Sequence, residues 1–340
     1  MAATTQHRNF VVEPRAGADA GDSLVTVVIP AYNAIATIDD TLESVRGQTH
    51  RALEILVVDD GSTDGTQDAV LRHAQKDERV RLITQANAGV AAARNTGISQ
   101  AHGAYIAPVD ADDVWRADKI ALQLAAFSRS DTIGLVYSWS ALIDEGDVIL
   151  DAKPTPDVPG NLLVTVARRN IIGNGSAIMV RKEIAQAIGY DPSLRARGAQ
   201  GCEDWKFYFD AAEHCDFAVV PAYLTGYRQM RGNMSSDVTR MLRSRDLCAE
   251  EFERRHPELK PRFHQGRNRT MKLLLYRLLR ERRGRGLMSL LATMLRHDLW
   301  YALETFAGLP RAAIAPLIRR ARRKAGRPVA VYDWRAAPKD

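Results

Sequence analysis

Two groups of carboxylates in this chain could do chemistry together. The first is the acidic run in Val109-Asp110-Ala111-Asp112-Asp113-Val114-Trp115, and the second is the pair Glu203-Asp204. The run follows the apolar stretch Ala104 to Val109, so it stands at the end of a buried segment. Gathering negative charge there is costly unless something positive neutralises it. A divalent cation carrying a diphosphate would do so. The chemistry that this suits is transfer from a nucleotide-activated donor.

These residues need a scaffold, and the hydrophobic pattern supplies one. Leu24 to Ile29 is a β-branched run closed by Pro30, which reads as a buried strand. Thr37 to Gln48 has helical spacing, with Ile38, Leu42 and Val45 on one face. Leu53 to Val58 is a second strand, and Asp59-Asp60-Gly61-Ser62-Thr63-Asp64-Gly65 after it is a turn that leads into a helix. Val80 to Thr84 is a third strand, Gly89 to Gln100 an Ala-rich helix, and Ala104 to Val109 a fourth strand. Strand and helix alternating at short spacing predict an α/β fold with a mostly parallel sheet covered on both faces. Ligands of such sheets bind beyond the carboxyl ends of the strands. Tyr32-Asn33, Asp59-Asp60 and the acidic run each follow a strand directly, so three strand ends face one crevice.

Further on the pattern is less regular. Ile133 to Tyr137 reads as a strand, 151–160 as a Pro-rich exposed loop, and Asn174 to Val180 as a strand entered through a polar turn. Glu203 to Ala212 has helix propensity, and Phe217 to Tyr227 holds one or two short strands. No GxGxxG follows the first strand and no GxxxxGK[ST] occurs, which counts against a dehydrogenase-type dinucleotide fold and a P-loop. Cys202, Cys215 and Cys248 form no CxxC pair, which argues against a disulfide scaffold and fits a reducing compartment.

Charge divides the chain. Residues 1–239 hold 22 Lys and Arg against 31 Asp and Glu, whereas residues 240–340 hold 25 against 10. The acidic front does not look like a nucleic-acid binder, and no aromatic pattern interleaves the basic tail as stacking on bases requires. In the tail, Leu273, Leu274, Leu275, Leu278 and Leu279 alternate with Lys272, Arg277, Arg280, Arg282 and Arg283. Ile314, Leu317 and Ile318 precede the basic run Arg319 to Lys324. No apolar run approaches the roughly 18 residues that would span a bilayer. Amphipathic helices are expected here, either packed on the rest of the chain or lying on an anionic membrane. Residues 1–22 are polar, with no signal-peptide or anchor pattern, and are read as a disordered lead.

Five segments occur in order: VVIPAYNA (Val27 to Ala34), VVDDGSTDGT (Val57 to Thr66), NAGVAAARNTG (Asn87 to Gly97), VDADDVW (Val109 to Trp115) and Glu203-Asp204. Together they make the chain, over roughly residues 23 to 235, resemble the family 2 glycosyltransferases of GT-A fold. The resemblance implies a nucleotide-sugar donor, usually a UDP-sugar, a Mg²⁺ or Mn²⁺ ion, and inversion at the anomeric carbon. It places Pro30, Ala31 and Tyr32 at the nucleoside and has Asp60 accept from the uracil imide. It sets Arg94 near the base or the diphosphate. Asp110 and Asp112 match the DxD motif, the first by the ribose and the second on the metal. One carboxylate suffices for such an ion, because phosphates and waters complete its shell. Asp204 matches the catalytic base, which would take the proton of an acceptor hydroxyl. Glu203 would orient it or meet acceptor hydroxyls, although a plain helix N-terminus also favours acids at this place. The chain departs from the family at Met230, which stands where many members carry a His, and a thioether is a poor ligand for a hard cation. Either the metal then has fewer protein ligands, or Arg228 and Arg231 grip the diphosphate.

The expected organisation is a lead (1–22), a GT-A domain (23–239) and a basic helical extension (240–340). The expected acceptor is a hydroxyl of a glycan or lipid-linked molecule. The expected place is the cytoplasm, with the tail offered to the inner face of the plasma membrane. Two alternatives remain: a nucleotidyltransferase, which would release pyrophosphate, and a non-catalytic nucleotide-sugar-binding protein.

Overall fold

The β-branched run after Ser23 becomes β1 (Val25–Ala31), every residue of which is buried. It lies in a computed structural model that describes residues 23–152, 154, 160–230, 237–281 and 290. Beside β1 run β2 (Leu53–Asp59) on one side and β4 (Tyr105–Pro108) on the other, both parallel to it, with β3 (Val80–Thr84) beyond β2. The connecting helices are α1 (Ile38–Arg46), α2 (Thr66–Ala74) and α3 (Val90–Ser99). The expected elements of this half are therefore present to within a residue or two. One boundary moved for a physical reason. β1 continues through Pro30, because its pairing with β4 ends at Val28 and no donor is needed on that side.

The second half of the sheet is mixed. β8 (Ile178–Arg181) lies antiparallel on β4, β6 (Ile133–Ile143) antiparallel on β8, and β9 (Asp216–Arg228) parallel to β6. The short β5 (Val114–Trp115) adds to β9, and β7 (Ile149–Ala152) pairs with β6. β6 and β9 are longer than their apolar cores suggested. Pro221 and Ala222 are skipped in the β6–β9 register, so β9 crosses its proline as a bulge instead of ending there.

Alternation along the strands sends side chains to opposite faces of the sheet. Val27, Ile29, Ile55 and Val57 pack with Ile38, Leu42 and Val70, and with α4 (Lys119–Phe127) through Ile120 and Leu124. Val28, Ile106, Val180 and Tyr137 pack on the other face, with Ile98 and with α6 (Lys182–Ile188) through Ile184. The same core takes in α5 (Leu163–Arg168), α7 (Ser193–Ala196) and α8 (Glu203–Ala212) through Val166, Leu194 and Phe209. It also takes in Phe252 of α9 (Val238–Arg255) and Phe263 of α10 (Lys260–Glu281). Phe252 stacks on Phe209 at 3.9 Å between ring centroids and meets Trp205 edge-on at 5.4 Å. The described part of the tail is thus helical and shares its core with the sheet. The lead, most of the 151–160 loop, Arg231, Arg282, Arg283 and the basic run from Arg319 lie outside the described residues.

Candidate active site

The loops after β1, β2 and β4 converge on one cleft of about 1120 Å³, whose opposite wall comes from the start of α8 and from α9 and α10. Pro30, Ala31 and Tyr32 line it, and Tyr32 is 55% exposed. Asp60 lines it too, yet its carboxylate already accepts the backbone N–H groups of Ala88 (2.8 Å) and Gly89 (2.7 Å) and the Gln85 amide (2.8 Å). Asp60 therefore fixes the β3–α3 loop. An ionised carboxyl has about four acceptor sites, so it retains room for a ligand N–H. The rest of the Asp59–Gly65 turn is occupied by shaping the rim. Asp59 accepts from Ser62 and Gln67, Asp64 from Ile35 and Thr66, and Asn33, at φ 48°, from the Thr63 amide.

Arg94 is at the centre. It is 3% exposed, and its guanidinium donates to Asp110 at 2.5 Å and to Asp204 at 2.7 Å. α3 thereby clasps the acid after β4 to the acid at the start of α8. Burial lowers the proton affinity of Arg94, but Asp110 and Asp204 outweigh it and leave the cation firmly charged. At Asp204 burial raises the carboxyl, Arg94 opposes, and Asp110 raises it further, with a net displacement above the usual carboxylate range. Gly175 makes this contact possible, since a Cβ there would stand 2.8 Å from Arg94 Nη2 and 3.1 Å from Asp204 Oδ1. Glu203 lines the cleft, but its carboxylate turns back to accept the Gly201 amide at 2.7 Å. Burial, with Asp204 adding, raises the Glu203 carboxyl as well.

The acidic run splits by position. Asp113 is fully buried and accepts from the Arg228 amide at 2.9 Å and from the Ser176 hydroxyl. Ser176 in turn receives the Asp110 amide at 2.9 Å, and its carbonyl receives the Trp115 indole N–H at 2.8 Å. Asp112 lines the cleft and makes no ion pair among the described residues. Burial, then the negative charge of Asp110, lifts its carboxyl to about 7, against the pull of Arg228.

Arg228 is placed differently from expectation. It is 2% exposed and does not line the cleft. Its Nε donates to the Asp112 carbonyl (2.8 Å) and its Nη1 to the Glu145 carbonyl (3.1 Å), with Asp147 at 3.0 Å and Asp40 at 3.5 Å. It holds the acidic run from beneath, so its expected grip on a diphosphate is corrected to support of the Asp112 backbone. Met230 does line the cleft.

A hard divalent ion fits this donor set. Asp112 offers one carboxylate in the cleft that forms no ion pair among the described residues, and Asp110 stands beside it. No group of three or more His, Cys, Asp or Glu among the described residues forms a ready-made cage. An ion that arrives with phosphates needs only one or two protein carboxylates. The far wall was not anticipated. Arg169, Arg240, Met241 and Arg245 line the cleft from α9 and from the segment after α5, and as scattered single residues they carried no motif.

The profile of glycosyl transferase family 2 matches residues 26–187. The chain is 31% identical over 240 residues to TuaG of Bacillus subtilis (strain 168), a glycosyltransferase named for teichuronic acid biosynthesis. That match spans 68% of this chain and 90% of TuaG. It is 37% identical over 129 residues to WfgD of Escherichia coli, whose name gives UDP-Glc as donor and α-D-GlcNAc-diphosphoundecaprenol as acceptor. There it spans 38% of this chain and 50% of WfgD. Among solved structures, Staphylococcus aureus TarS 1–349 in complex with UDP-GlcNAc superposes with a TM-score of 0.56 at 16% identity, covering 72% of each chain. PcManGT of Pyrobaculum calidifontis, a mannosyltransferase solved with GDP-Man and Mn²⁺, gives 0.55 at 20% identity, covering 86% of this chain and 81% of that one. These structural likenesses carry the GT-A fold.

Proposed function

Because the chain belongs to glycosyl transferase family 2, and is a glycosyltransferase, we propose that it transfers a sugar from a UDP-sugar to an acceptor hydroxyl with inversion, using Asp204 as base. The observation that carries this reading is the Arg94 clasp, which brings Asp110 and Asp204 to one guanidinium from distant parts of the chain. Tyr32, Pro30 and Ala31 would receive the nucleoside, Asp60 the uracil imide, and Asp110 the ribose. Asp112 would hold Mn²⁺ or Mg²⁺, which when bound stabilises negative charge on the diphosphate leaving group. Asp204, raised by burial, takes the acceptor proton, and a weakly solvated carboxylate is a stronger base than one in water. Attack from the Asp204 side, with departure on the Asp112 side, is a single displacement and inverts the anomeric carbon. Arg94 keeps Asp204 oriented until an acceptor hydroxyl arrives.

The acceptor is proposed to be a glycan or lipid-linked molecule. The test is a thermal-shift panel of nucleotide-sugars with and without Mn²⁺, followed by turnover with the best donor. Asp204→Asn should lower turnover by about 10²- to 10⁴-fold while sparing the donor shift. Asp112→Ala should abolish the Mn²⁺-dependent part of that shift. Near-normal turnover in both variants would refute these roles.

A further inference from the structure

We propose that the far end of the cleft, walled by α9, α10 and the segment after α5, binds the phosphate or diphosphate of a phosphorylated acceptor through Arg245 and Arg169. This deepens the glycosyl-transfer reading and rests on it.

The carboxylates of the cleft are confined to one side. Asp60, Asp110, Asp112, Glu203 and Asp204 lie with Arg94 on the side of the strand ends and the start of α8. From residues 169–174, α9 and α10 the lining includes Arg169, Arg240 and Arg245 and no carboxylate. Arg240 already has Asp237 at 3.3 Å, so it contributes least.

Arg245 is the unusual member. It is 4% exposed, its Nη2 donates to the Phe263 carbonyl at 3.0 Å, and its guanidinium lies 5.0 Å from the centre of the Trp205 ring. Its Nη1 is buried without a hydrogen-bond partner, and it forms no ion pair among the described residues. Burial pushes its proton affinity down to about 10, which still leaves it charged at neutral pH. A buried cation with an unmet N–H is costly unless a ligand meets it. The position is built: a Cβ on Gly266 would stand 2.6 Å from Arg245 Nη2, so α10 carries a glycine where the guanidinium passes.

Arg169 supplies the second cation. Burial, together with Arg269 and Arg168 nearby, lowers its proton affinity, so three like charges are gathered here. Such a group repels itself until an anion arrives. Planar guanidinium groups pair with phosphate oxygens two at a time, and a phosphate offers more oxygens than a lone carboxylate. Asp204, Trp205 and Arg245 line the same cleft, so an acceptor held at Arg245 would extend toward the proposed base.

The experiment is calorimetric titration of the full chain, with UDP and Mn²⁺ present to occupy the donor end. The probes are glucose 1-phosphate and farnesyl diphosphate, with glucose and inorganic phosphate as controls. Glucose 1-phosphate or farnesyl diphosphate should bind more tightly than either control, and the better of the two tells whether the phosphate is carried on a sugar or on a lipid. Arg245→Met and Arg169→Ala should each weaken that binding by about tenfold, the order expected for losing one charge-assisted contact. Arg169 is only half buried, so its variant carries the test if Arg245→Met fails to fold. Inorganic phosphate binding as tightly as both organic phosphates would overturn the acceptor assignment. Binding that neither variant weakens, or no binding of either organic phosphate, would overturn the site. Failure of UDP to bind the wild type is a different result and counts against the nucleotide-sugar reading.

Discussion

Three neighbouring acids have three fates. Asp110 is held by Arg94, Asp112 faces the cleft, and Asp113 is sealed beneath with Ser176 and Arg228. Their separation follows from long-range contacts that no local pattern encodes. The motif was legible because its residues are adjacent, whereas the Arg94–Asp204 pair joins residues 110 positions apart. Arg228 shows the same limit, since an arginine after a strand looks like a ligand until its burial is known. Two predictions belong to this scale. Gly175→Ala should force Arg94 off Asp204, lowering kcat by up to about 10²-fold in steady-state assays through misplacement and lowering the thermal midpoint as the buried cation loses a partner. The second concerns pH. A base must be ionised, so activity falls as pH drops through the pKa of Asp204, which burial raises. The acid limb of kcat/KM should therefore lie above the ordinary carboxylate value near 4, and Asp204→Asn should abolish that limb along with most of the rate.

At the scale of elements, the apolar pattern located the first four strands and the helices α1 and α3 well, since β1, β2 and β4 are buried almost throughout, although β3 buries Val80 alone. It failed for α4 to α7 and for β5 and β7, which are short or lie in the irregular second half, and it left open whether Phe217 to Tyr227 was one strand or two, where a bulge carries β9 across its proline. The loops around the parallel half are fixed by ion pairs that also set a pH response. Asp77 receives bonds from Arg79 and Arg46 and is only 11% exposed in its side chain. The Arg79 hydrogen bond, opposed by burial and aided by Arg46, holds its carboxyl well below the usual range. A depressed carboxylate contributes stability that is complete above its unfolded value and is lost as pH falls. Asp77→Asn should cost about 2 kcal/mol at pH 7 and flatten the decline below about pH 5, read from urea midpoints across pH.

For the whole molecule, the split between an acidic front and a basic tail proves partly complementary. Arg255 of α9 pairs with Asp210 of α8 and with Glu213 just after it, and Lys206 of α8 with Glu251 of α9. Among the described residues no helix is long and apolar enough to cross a membrane. With Phe252 stacked on Phe209, α9 belongs to the core of the catalytic unit. We predict that a chain ending at residue 239 loses cooperative unfolding. Phe252→Ala alone should cost about 3–5 kcal/mol, read as a lower urea midpoint. An unchanged midpoint in either would show that α9 is dispensable.

Of the two arginines on the far wall, Arg169 lies inside the segment 26–187 that matches the family profile and Arg245 outside it. Under the proposed acceptor site, exchanging α9 and α10 between relatives becomes a route to redirecting where the sugar is delivered. Such a graft has to bring the aromatic seam with it, because Trp205 and Phe209 on α8 are shaped to receive Phe252. The segment to exchange in testing the proposed acceptor site is then a three-helix cassette, α8 through α10, whose first turn carries Asp204.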